Sequence, residues 1–239
     1  MATLDQARPA RTAGSPGFLW RILSPIGAVV VAFVCLVVVA GILDATSISD
    51  SGAEAVLNFG TSLLLLVFGV VLWRQLPAHE RRLAVALKHS LGGAIGLGLT
   101  IGVGLVIGAG TIILIGSAID PVVDRRLDDV EDITGTGWMI GLTVVAVVVL
   151  APLGEELLFR GLLLRGLVRK LRFWPAAAIT SLLFASAHAD SYLLWPRAVS
   201  LFLTGLVLAW LYRWRGYWAS VTAHATVNIA AAIALIASS

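Results

Sequence analysis

The chain has 239 residues, 59% hydrophobic and 13% charged, with a formal net charge of +3 and a mean hydropathy of +0.95. A soluble fold would lack polar surface at this composition. Nucleic acid is not an indicated partner, because the basic residues lie in short loops between apolar runs. The expected fold is all-α, a polytopic transmembrane bundle of about seven to eight helices.

Met1 to Ser24, rich in Ala, Gly, Pro and Arg, reads as a disordered cytoplasmic tail, and residues 25–239 as the transmembrane domain. Apolar runs of about 17–25 residues predict helices over 25–43, 56–73, 91–118, 138–166, 175–189, 197–212 and 217–237. The first run is too long for a signal-peptide core and reads as a retained anchor. Its Cys35, the single cysteine, reads as a small hydrophobe. Between the second and third runs, residues 74–90 carry Arg81, Arg82 and Lys88 among leucines and alanines, which suits an amphipathic helix on the inner surface or, almost equally, a solvated connector. The third run places Gly92, Gly96, Gly98, Gly102, Gly104 and Gly108 at small-xxx-small spacing. That pattern predicts close helix packing within the chain.

The loops alternate in charge. Arg21 and its tail neighbours, then Arg74 to Lys88, then Arg165 to Arg172, then Arg213 and Arg215 mark one side; Asp44 to Glu54 and Asp120 to Asp132 mark the other. By the positive-inside rule the N-terminus is cytoplasmic and the C-terminus is outside, with the plasma membrane as the expected bilayer. Nothing in the residues sets an oligomeric state.

Three polar groups interrupt the apolar runs. Glu155-Glu156-Leu-Leu-Phe-Arg160 follows Pro152 and Gly154. Pro152 removes a backbone hydrogen bond, so it should kink the fourth run and free a carbonyl. Glu156 and Arg160 share a helix face and can pair. Glu155 points about 100° away, toward another neighbour. Phe184 and His188 end the fifth run, with Phe184 able to wall a site. His224 and Asn228 sit one turn apart in the last run, a pair able to bind metal or stabilise an oxyanion. Intramembrane charge costs about 2.5–3.5 kcal/mol per residue on insertion scales, which favours one shared polar site. Ser181, Ser186, Ser220 and Thr222 could line a pocket but read better as packing hydroxyls.

These motifs, in this order, resemble the CPBP (Abi) family of intramembrane proteases, which includes the type II CAAX prenyl endopeptidases. The family pattern is EExxxR, then FxxxH, then HxxxN, each on its own transmembrane helix, and the resemblance covers residues 138–232. It implies hydrolysis of a peptide bond in a membrane-associated peptide or protein. Glu155 with His188 would act as general base toward water. His224 and Asn228 would donate to the oxyanion, a contribution of about 3–4 kcal/mol per good donor. Glu156, Arg160 and Phe184 would support them. The family has also been described as metalloproteases. Glu155, His188 and His224 would then be zinc ligands, although no HExxH occurs and the metal-free arrangement is preferred.

Two other readings compete. A non-catalytic immunity or scaffold protein would use the same cluster to bind a peptide or partner protein. An ion or proton transporter would show broken helices in repeated halves, and no repeat is present.

Overall fold

The computed structural model describes residues 16–46, 48–88, 90–123, 137–188 and 194–238. These form helices α1 (Phe18–Asp44), α2 (Asp50–Arg74), α3 (Ala78–Ala84), α4 (Leu91–Ile119), α5 (Trp138–Leu167), α6 (Phe173–Ser186), α7 (Trp195–Arg215) and α8 (Tyr217–Ser238). Five of them (α1, α2, α4, α5 and α7) are long and apolar enough to cross a membrane. No strand occurs among the described residues; one antiparallel bridge joins Leu87 to Gly216. The chain is a helical membrane bundle.

The seven expected runs are all helices, with shifted ends. α1 begins at Phe18, inside the segment read as tail, because Pro25 is accommodated within it and the turn before it docks: Arg21 is buried. The acidic stretch after Asp120 extends mostly into residues 124–136, outside the described residues. Of the segment 74–90, Ala78–Ala84 is helical.

α5 is the axis. It packs against α2 on one side and α8 on another, while α6 touches only its C-terminal half and packs mainly on α7. α4 lies outside α7 and α8, and α1 outside α2. Half of the most apolar window of α5 is buried within the protein, against 6% for α1 and 11% for α4. Residues such as Val34, Val37, Ile107 and Leu114 are accordingly exposed, as suits helix faces turned to lipid. Leu157, Leu158, Leu163 and Leu164 of α5 join Phe173, Phe184 and Tyr212 in the main core.

Two of the six glycines read as packing positions do pack. A Cβ on Gly98 would fall 2.7 Å from Thr222 Cβ, and one on Gly102 would fall 2.5 Å from Thr226 Cβ, so α4 and α8 meet at backbone distance there. Gly92, Gly96, Gly104 and Gly108 have no such neighbour; they lie on other faces of α4, which sequence spacing did not separate.

At the end of the bundle that carries the basic loops, Glu80 holds three segments together. Both of its oxygens accept from Arg21, at 2.6 and 3.0 Å, and Oε1 also accepts from Arg169 at 2.9 Å. Burial by itself would raise the Glu80 pKa, but the Arg21 hydrogen bond and the charges of Arg21 and Arg169 outweigh it and hold the carboxyl below its ordinary value.

Candidate active site

The site is built on a distorted stretch of α5. Ala146–Leu150 and Glu156–Leu164 are π-helical, flanking the short α-helical turn Ala151–Glu155. π-turns are rare and favour functional positions. Pro152 lies between them and has no N–H to continue the ladder. Gly154 brings this turn onto α2: a Cβ there would fall 2.7 Å from Leu66 N and 2.9 Å from Leu66 Cα. Glu155 follows directly, so its backbone is set by a close helix contact.

Glu156 is fully buried, and its carboxylate is saturated. Oε1 accepts from Arg160 Nη1 at 2.7 Å and lies 3.0 Å from His224 Nδ1, while Oε2 accepts from the Ser220 hydroxyl. A carboxylate oxygen only accepts, so His224 Nδ1 carries the proton and Nε2 is left to face elsewhere. It faces Glu155: His224 Nε2 and Glu155 Oε2 are 3.8 Å apart. Glu155 is 13% exposed along its side chain, yet Oε2 is buried and no described donor reaches it. The two adjacent glutamates therefore differ sharply. One is locked and one is open.

Arg160 is anchored as well. Nη2 donates to Gly205 O at 3.2 Å, and the guanidinium lies 4.7 Å over the Phe184 ring. Phe184 is the hub of the apolar wall. It packs edge-on to Phe159 at 5.4 Å and to His224 at 5.6 Å, and tilted against His188 at 4.8 Å. His188 lies just past the end of α6, with Nδ1 2.9 Å from Phe184 O. Phe184 thus brings Arg160, His188 and His224 together, and His224 Nε2 also approaches Glu155. Asn228 Nδ2 donates to Val147 O at 2.7 Å.

Among the described residues no three His, Cys, Asp or Glu side chains converge as metal ligands. Glu155, His188 and His224 form no such group, although the bonds at His224 Nδ1 and His188 Nδ1 are of the kind that orient a metal-binding imidazole.

Residues 137–230 match the family model described as Rce1-like, type II CAAX prenyl endopeptidase. The match is consistent with a CPBP-family intramembrane protease, and it covers α5 to α8 with every residue of the site. An uncharacterized 24.3 kDa protein of Escherichia coli is 46% identical over 70 residues, which span 28% of this chain and 31% of that protein. No solved structure matches.

Ser220, read from the sequence as a packing hydroxyl, donates to the Glu156 carboxylate instead. It is fully buried and precedes His224 by one helical turn, so a shared face was its available signal. Gly205 was also missed. It contributes a backbone carbonyl to Arg160, and a Cβ there would fall 2.8 Å from Ser181 Cβ. No side-chain chemistry marks such a residue.

Proposed function

We propose that the protein is an intramembrane endopeptidase that hydrolyses a peptide bond of a membrane-associated peptide or protein, as in CAAX-type or peptide-precursor processing. The observation that carries this reading is the pair Glu155 Oε2 and His224 Nε2, 3.8 Å apart, beside a Glu156 carboxylate that holds the other face of the imidazole. Water between the pair would lie within reach of both. As its oxygen attacks the scissile carbonyl, His224 Nε2 takes its proton while Glu155 accepts a second hydrogen bond from the water and orients it. The Nε2–H of a protonated His224 then serves the oxyanion, and the proton passes to the departing amine as the C–N bond breaks. His188, against the same Phe184 ring, stands ready to assist from the substrate side. No step requires a metal ligand set.

The orientation proposed has the N-terminus in the cytoplasm of a plasma-membrane protein. Supporting this, Arg21 in the first turn of α1 and Arg169 after α5 meet on one carboxylate, Glu80, so the basic segments share one end of the bundle, as the positive-inside rule asks.

The test uses membranes containing the full chain and a peptide panel that includes a farnesylated CAAX peptide. Wild type is compared with Glu155→Gln and His224→Ala, with a chelator arm in parallel. Cleavage by wild type that both substitutions abolish and the chelator spares is the expected result. Cleavage that survives both substitutions would belong to another enzyme and remove the support for this reading. Chelator sensitivity would replace the metal-free water step.

A further inference from the structure

The hydrogen bond from Asn228 to Val147 has a specific place in the broken ladder of α5. In the π-helical turn before Pro152, the N–H of Ala151 bonds to Ala146 O, five residues back. The next bond in that register would run from residue 152 to Val147 O. Residue 152 is proline and has no N–H. Val147 O is the acceptor that Asn228 Nδ2 reaches, at 2.7 Å, from α8. A carbonyl without a donor inside an apolar bundle is costly, since no solvent replaces the bond.

We propose that Asn228 is a positioning residue whose side-chain amide replaces the backbone N–H that Pro152 lacks, fixing the turn of α5 that carries Glu155 against α8. Two further contacts fit this role. Tyr217, also on α8, donates from Oη to Leu153 O at 2.8 Å, so α8 serves a second carbonyl in the same turn. Ser220 and His224 complete the same helix face through Glu156. One helix thus satisfies the backbone on the N-terminal side of Glu155 and the carboxylate on its C-terminal side. The pairing also gives Pro152 a purpose. It vacates a backbone acceptor that only a neighbouring helix can fill, which makes the position of Glu155 depend on α8 being docked.

This deepens the hydrolase reading, and only the rate measurement below rests on it. The experiment is a double-mutant cycle in the full-length protein with Pro152→Ala, Asn228→Ala and the double variant. Alanine at 152 restores an N–H in register with Val147 O. In the wild-type background Asn228→Ala should lower the melting temperature in detergent by about 3–8 °C, and in the Pro152→Ala background by less than half of that. Equal losses in both backgrounds would overturn the proposal. If Asn228→Ala fails to accumulate, recovery of expression in the double variant supports the proposal and no recovery overturns it.

For a peptide that wild type cleaves, Pro152→Ala should raise the kcat of Asn228→Ala at least tenfold with little change in KM. An absence of that rescue would mean that Asn228 acts on the substrate directly, and would overturn the positioning role. If no peptide is cleaved by wild type, the hydrolase reading loses its support while the thermal cycle still decides this one.

Discussion

Two buried carboxylates, Glu80 and Glu156, are held in nearly the same way and do different things. Each is almost inaccessible, and each receives an arginine and at least one further donor. Glu80 takes both its partners from distant segments, and the result is a clamp across α1, α3 and the turn after α5. Glu156 takes Arg160 from its own helix and uses its remaining capacity on α8. Because one of those partners is an imidazole, the saturated carboxylate aims a second nitrogen at its neighbour Glu155. A satisfied carboxylate stabilises in both places. Only beside Glu156 does an unsatisfied one stand next to it, and that difference separates a structural knot from a site able to do chemistry.

The largest effect should come from the open member. Glu155→Gln is expected to slow peptide hydrolysis about 10²- to 10⁴-fold while leaving the thermal melt close to wild type, since Oε2 has no partner to lose. A matching loss of stability would erase the distinction drawn above. Glu156→Ala should do the reverse and more, costing about 3–5 kcal/mol in denaturant or thermal unfolding, because Arg160 would be left buried without its counter-charge. Were it tolerated, Glu156 would not be the locked partner.

Ser220→Ala removes one donor from a charged acceptor and should cost about 1.5–3 kcal/mol. It should also loosen His224, seen as a fall in kcat larger than any rise in KM. Glu80 gives the smallest effect and the clearest sign. Its folded pKa lies below the ordinary value of about 4.3, so its stabilisation is complete above that value and is lost as pH falls through the depressed one. The gap in melting temperature between wild type and Glu80→Gln should hold above about pH 5 and narrow below about pH 4. A gap that widens on acidification would mean the clamp is not ionic.

Much of the site was legible because its residues break a simple rule. Glu155, Glu156, His188 and His224 stand out in an apolar chain, and the three motif spacings put each pair on one face. The freed carbonyl near Pro152 also follows from one missing N–H. By contrast, the approach of His224 to Glu155 has no local signature. Neither does the use of Asn228, whose amide looks the same in sequence whether it meets a substrate or a carbonyl.

The sequence by itself determined that the chain is a helical membrane bundle, roughly where its seven long runs lie, and which side chains are too polar to be there by chance. Composition and periodicity suffice for this, because each apolar run must hide its backbone within its own helix. Only the tertiary structure decided which glutamate is saturated, where the helix widens to π-turns, that Ser220 belongs to the cluster, and that two of six glycines carry the α4–α8 contact. Those outcomes rest on contacts between residues 64, 68 and 81 positions apart, namely Ser220 and His224 with Glu156 and Asn228 with Val147. Spacing along one helix carries no information about what a second helix places opposite it.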